Sequence, residues 1–374
     1  MDLKSSPAKR RASALSRICF LRLLAGAGLL FGTGPLFAGL PSEIPRGVFS
    51  LSPAGNAFRD SVATNPNVDG ISIRQDWSEL EPSEGSYNWT FLDSEVARAA
   101  AAGKPILLRI NTQAHKPAWV TNAVAQAGGT FVTFDKDGVA TTIPVFWDPT
   151  FLAKKKAMIA ALGAHFTGKT TIKIVWTSFA NASSEDWSVP HTPTDITNWS
   201  NAGYTSDKML AAGAQMIDAT MAAFPNQFVT IAVGGSGNLD PDPSYVARNA
   251  VAAAKAKWPG RLIVQKNDLS TFNPPAPGTG TLFQPLWDNR PSVGGQMLDS
   301  CYGDGTYRNN NGVPDAPGNI LRKSVDLGVS YGMRYIEIYQ NDVLNLLPDI
   351  GYAHNALLNP IGAPRPPTGL IRVP

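Results

Sequence analysis

Seven glutamates occur among the 374 residues: Glu43, Glu79, Glu81, Glu84, Glu95, Glu185 and Glu337. Beyond Glu95 only Glu185 and Glu337 remain. Two carboxyl groups facing each other across a cleft can cleave a glycosidic bond. One protonates the leaving oxygen while the other attacks the anomeric carbon or activates water. Glu337 lies in Tyr335-Ile336-Glu337-Ile338-Tyr339, where apolar and polar residues alternate as on a strand. If the isoleucines pack outward, Glu337 and Tyr339 point inward. The same alternation in Gly70–Asp76 sets Ser72, Arg74 and Asp76 against Ile71 and Ile73. In Ile106–Asn111 it sets Leu107, Arg109 and Asn111 against Ile106, Leu108 and Ile110. A charge withdrawn from water is costly unless it is paired, so two arginines and a glutamate aimed at one interior imply a polar site there. A buried structural ion pair is the competing explanation.

The elements that would carry these residues form a regular series. Apolar runs fall at Gly47–Leu51, Gly70–Gln75, Pro105–Asn111, Ile172–Ser178, Val229–Gly234, Leu262–Asn267, Gly295–Asp299 and Tyr335–Tyr339. Helical stretches separate most of them, at Leu92–Ala102, Leu152–Phe166, Lys208–Phe224, Tyr245–Trp258 and Asn319–Gly328. Eight strands alternating with helices predict an α/β fold, the (β/α)8 or TIM barrel. Gly129–Phe134 and Val139–Val145 flank an Asp137-Gly138 turn and predict a β-hairpin inserted after the third strand. Glu185 then follows the fourth strand and Glu337 lies on the eighth, both near the face where barrel active sites form.

Aromatic and amide side chains near the strand ends suit a sugar. Trp77, Trp119, Trp147, Trp187 and Tyr302 offer flat rings for stacking on apolar sugar faces, with core packing as the alternative. Asn111, His115, Asn181, Lys266 and Asn267 are candidate hydroxyl partners, and Gln296 and Tyr339 join Arg74 and Arg109 on strands lining the cleft. The four histidines form no spaced pair and no CxxC or HExxH occurs, so neither a metal nor another cofactor is expected.

Composition narrows the class further. Hydrophobic residues make up 43% and charged residues 16%, which disfavours a coiled coil or a disordered chain. Six of the 32 basic residues precede position 23, and without that segment 26 basic residues face 28 acidic ones. The nominal charge of +3 therefore gives no basic surface for nucleic acid, and no obligate protein partner is evident. The basic segment leads into an uncharged run, Leu23–Ala38. Residues 1–38 read as an export signal, with an uncleaved membrane anchor as the alternative, and residues 39–374 as a single barrel domain. Removal of the signal would take Cys19 and leave Cys301 without an intramolecular partner, as a small buried hydrophobe.

The stretches RQDWSELEPSEGSYNWTFLD and KPILLRINTQAHKPAWV resemble the second and third strands of clan A glycoside hydrolases, most closely the family 42 β-galactosidases. The matching residues are Arg74, Trp77, Glu81, Pro82, Gly85, Tyr87, Trp89, Asp93, Pro117 and Trp119. The resemblance implies a structural role for Glu79, Glu81 and Glu84 and a Tyr87–Trp89 pair packing their loop onto the barrel. In that family the acid/base sits in an adjacent Asn-Glu after strand four and the nucleophile on strand seven. Here Asn181 and Glu185 are four positions apart, and strand seven offers Gln296 and Asp299. The expectation is an exported, retaining glycoside hydrolase acting on β-linked sugars, with Glu185 as acid/base, Glu337 as nucleophile and Arg74 orienting a carboxylate. The alternatives are a non-catalytic glycan-binding barrel, or a hydrolase or lyase using Glu337 with Arg74 and Arg109 on a uronate.

Overall fold

The structure, a computed structural model, describes residues 39–360 except 137, 178–191, 236, 241, 279–280 and 303–314. Short runs rich in Val and Ile become strands, because branched side chains fit a pleated, buried surface. They are β1 (Gly47–Leu51), β2 (Gly70–Asp76), β3 (Ile106–Asn111), β4 (Phe131–Lys136), β5 (Val139–Pro144), β6 (Ile172–Trp176), β7 (Phe228–Ala232), β8 (Leu262–Leu269), β9 (Val293–Met297) and β10 (Met333–Tyr339). Eight of them close a parallel barrel in the order β1-β2-β3-β6-β7-β8-β9-β10, with β10 pairing back to β1. All eight predicted barrel strands are present, each end within two residues of its expected place.

The remaining pair, β4 and β5, is the predicted antiparallel hairpin, with Asp135 opposite Ala140. Gly138 takes φ +82° at its turn and donates its N–H to Asp135 Oδ1 at 2.8 Å. The hairpin docks on the helix Pro193–Asn201, where Asn198 Nδ2 donates to the Thr133 carbonyl. That helix starts sharply, with Thr192 and Asp195 forming a reciprocal capping box around Pro193.

The predicted helices appear at Thr90–Ala101, Pro149–Phe166, Ser206–Ala223, Tyr245–Lys257 and Pro317–Ser330. A further helix, Leu347–Leu358, packs under β1 after the last strand. The long segment between β8 and β9 is rich in Pro and Gly and holds only the short helix Gln284–Asp288. Among the described residues no helix is long and apolar enough to cross a membrane.

Strand parity divides the core in two. Ile71, Ile73, Ile106, Leu108, Ile110, Ile336 and Ile338 join the large cluster between strands and helices. Phe49, Leu107, Ile174, Trp176, Phe228, Ile263 and Tyr335 fill the barrel itself. This interior is tight, and two glycines make room in it. A Cβ on Gly70 would lie 2.4 Å from the Phe49 ring, and one on Gly294 2.4 Å from the Tyr335 ring. Gly294→Ala is therefore expected to destabilise the fold by about 1–3 kcal/mol through overpacking, read as a lower urea midpoint at unchanged m-value.

Candidate active site

Above this apolar plug the inward positions turn polar. The Phe49 and Tyr335 rings meet at 5.2 Å, and Tyr335 lifts its hydroxyl to donate to Gln265 Oε1 at 2.6 Å. Burial, with a contribution from the nearby Glu337 charge, pushes the Tyr335 hydroxyl up, so it stays a donor. The contact fixes the Gln265 amide. Its nitrogen turns upward and donates to Glu337 Oε2 at 2.6 Å and to Asn267 Oδ1 at 3.0 Å.

Glu337 has no exposed surface. Its other oxygen accepts from Ser72 Oγ and lies 3.6 Å from Arg74 Nη2. Arg74 in turn donates to Gln296 Oε1 at 2.5 Å, where Arg109 Nη1 also arrives at 3.1 Å. The Arg109 guanidinium lies 4.3 Å from the centre of the Trp176 ring. Residues from β2, β3, β8, β9 and β10 thus share one network at the C-terminal half of the barrel. Register explains the convergence: Arg74 is level with Arg109, and Glu337 with Gln296.

A second constellation sits at the strand ends of β2 and β3, where Asp76 and Asn111 are register partners. Asp76 accepts from Asn111 Nδ2 at 2.8 Å through one oxygen and contacts His115 Nδ1 at 2.9 Å through the other. The turn between Asn111 and His115 bends through Gln113, whose φ of +41° is the one left-handed non-glycine conformation among the described residues. At the opposite rim the buried Asp342 carboxylate accepts from Ser300 Oγ and from the N–H groups of Cys301 and Tyr302, holding the exposed Tyr302 ring at the end of β9. Cys301 is buried and free, and burial next to Asp342 pushes its thiol up, away from reactivity.

The candidates named from the sequence divide accordingly. Glu337, Arg74, Arg109 and Gln296 come together, with Asn111, His115 and Asn267 nearby on the same inward or mouth positions. Tyr339 caps the same face of β10, half-buried, its hydroxyl 3.4 Å from the Leu298 carbonyl. Burial raises its hydroxyl pKa, while the Arg74 charge acts in the opposite sense.

Trp77 does not join them. It has no exposed surface and donates its indole N–H to Glu81 Oε2, so it is core. Trp119 meets Trp77 edge-on and donates to the Glu81 carbonyl, while Trp147 packs on Trp199 and Tyr204 beside the hairpin. Lys266 falls on the opposite parity from Gln265 and Asn267. It is buried outside the barrel bore, paired with Asp268 at 2.7 Å and facing the Phe283 ring. Glu185, Asn181 and Trp187 lie outside the described residues. Sequence reasoning gave no role to Gln265, Ser72 and Asp76, although their inward parity was readable. Among the described residues no His, Cys, Asp and Glu cluster could hold a metal ion.

In the loop after β2, Glu81 and the Tyr87–Trp89 pair take the structural places the resemblance implied, whereas Glu79 and Glu84 are exposed. Glu81 is buried and accepts from Trp77 Nε1 and the Gly85 N–H, while Tyr87 stacks on Trp89 at 5.0 Å. Residues 65–201 match the family model of the glycoside hydrolase family 42 β-galactosidases. No curated protein matches the chain. Among solved structures, the catalytic domain of a β-amylase from Paenibacillus polymyxa superposes with a TM-score of 0.55 at 10% identity, over 82% of this chain and 96% of that one. A β-galactosidase from the psychrophilic Marinomonas ef1 gives 0.50 at 11% identity, over 78% of this chain and 53% of that one. This chain thus spans about half the length of that β-galactosidase. The chain thus shares its closed (β/α)8 barrel with these enzymes. Its segment from the approach to β2 through the helix Pro193–Asn201 is similar to the family 42 β-galactosidases.

Lys116, next to His115, supplies a test of burial at this mouth. Its ammonium is half-buried, and burial pushes its pKa from 10.5 down to about 8. Between these values the unfolded chain holds more protons than the folded one, so this residue's contribution to stability rises with pH. The urea midpoint of the wild type relative to Lys116→Met is expected to climb from pH 8 to pH 10.5.

Proposed function

We propose that this protein is an exported glycoside hydrolase acting on β-linked glycosides by a two-carboxylate mechanism. The observation that carries the reading is the polar network built around Glu337 at the C-terminal half of the barrel bore. Glu337 is held there by Ser72, Gln265 and Arg74, and the rim offers Asn111, His115, Asn267, Tyr302 and Tyr339 to a hydroxyl-rich ligand. The family 42 match supports β-galactosides as the first substrates to try. Export rests on the basic and apolar pattern of residues 1–38. In this mechanism Glu185 is the acid/base and Glu337 the nucleophile. Arg74, 3.6 Å from Glu337 Oε1, orients the attacking carboxylate. A retaining reaction sets the two carboxyls about 5–5.5 Å apart.

One observation favours a second reading, a glycan-binding barrel without turnover. Glu337 is fully buried, and the inward position of β9 in this network is an amide, Gln296, rather than a carboxylate.

The deciding experiment screens 4-nitrophenyl β-glycosides and β-linked polysaccharides with the wild type, Glu185→Gln and Glu337→Gln. Turnover by the wild type that falls by about 10²–10⁴-fold in Glu185→Gln, and at least as far in Glu337→Gln at an unchanged melting temperature, supports the proposal. Sugar binding without turnover in the wild type selects the second reading. Full activity in either variant removes that residue from the mechanism.

A further inference from the structure

The Asp76 constellation carries more than hydrogen-bond order. A carboxylate in this contact only accepts, so the Asn111 group facing it is the NH2, and the His115 nitrogen facing it carries its proton. Two atoms are thereby turned away from Asp76: Asn111 Oδ1 and His115 Nε2. Asn111 Oδ1 is buried without a hydrogen-bond partner, in a residue 9% exposed, and His115 Nε2 has no partner among the described residues. An orphaned buried acceptor costs free energy unless something supplies a donor. The backbone adds a second sign. Gln113 accepts a left-handed φ of +41°, unfavourable for a residue with a side chain, in the turn that returns His115 to Asp76. The chain therefore spends conformational strain beside an unsatisfied acceptor at the end of β3.

From this juxtaposition we infer that Asp76 is a positioning residue that locks Asn111 Oδ1 as an acceptor, and His115 Nε2 as a second polar contact, for two hydroxyl groups of one neutral sugar residue. The inference rests on the proposed glycan-cleaving function and deepens it by specifying how the sugar is read. A hydroxyl group supplies the missing donor, whereas a ligand group that only accepts would leave Asn111 Oδ1 unpaired. An amino sugar also donates there, and the test separates the two.

The test measures kcat and KM for the panel of 4-nitrophenyl β-glycosides, their monodeoxy analogues and the 2-amino analogues. The proteins are the full-length wild type, Asp76→Asn, Asn111→Ala and His115→Ala, with melting temperatures as the folding control. Asp76→Asn offers one acceptor where the carboxylate offered two, so it cannot hold both partners. It is expected to raise KM about tenfold while kcat changes less than about threefold. In the wild type, two of the deoxy positions should each raise KM. Asn111→Ala should become insensitive to one of these and His115→Ala to the other. A KM in Asp76→Asn within twofold of wild type, or deoxy sensitivity unchanged in both alanine variants, overturns the inference while leaving the glycosidase reading intact. A clear preference for the 2-amino analogue overturns neutral-hydroxyl reading. A wild type that neither binds nor cleaves any glycoside in the panel removes the functional reading and this inference together. If Asp76→Asn melts early, the two alanine variants alone decide the matter by the same deoxy pattern.

Discussion

One constraint organises this barrel: a carboxylate with no access to solvent must find its partners inside the protein. Glu337 comes from the last strand, and its partners come from β2 and β8. Withdrawing a charge from water costs several kcal/mol even after relaxation, and only good geometry offsets it. That requirement propagates. Gln265 holds its amide toward Glu337 only because Tyr335 donates to its oxygen, and Tyr335 stands where it does because Phe49 and Gly294 shape the space beside it. On the other side Arg74 brings in Gln296, and Gln296 brings in Arg109 over Trp176. An apolar plug below and a polar network above are therefore one mechanical unit.

The fold was legible because parallel barrel strands carry two signals at once. Ile336 and Ile338 face the helices, and that choice forces Glu337 into the bore, since side chains alternate strictly along a strand. The same logic placed Arg74 and Arg109. The one hydroxyl partner assigned against parity, Lys266, is the one found outside the bore, between Asn267 and Gln265 on the chain but facing Asp268. Parity was a better guide there than residue type.

The site was less legible because its geometry depends on side chains meeting across elements. Nothing in Asn111-Thr112-Gln113-Ala114-His115 announces a left-handed turn, since no glycine or asparagine occupies the position that adopts it. The return of His115 onto Asp76 is a tertiary outcome. Trp77 shows the converse failure: an aromatic residue beside a strand end reads as a sugar platform until the buried Glu81 carboxylate claims its N–H. Both signals are ambiguous in one dimension because a ring or an imidazole suits a core and a cleft equally well.

The amide at position 296 has a consequence on another timescale. Glutamine and glutamate codons differ by a single base, so this chain stands one nucleotide away from carrying a carboxylate on its seventh barrel strand. Two guanidinium groups already converge on that side chain's oxygen. A newly arrived negative charge would meet donors in place rather than an unprepared interior. The barrel's electrostatics thus leave a short mutational path between two arrangements of acidic groups.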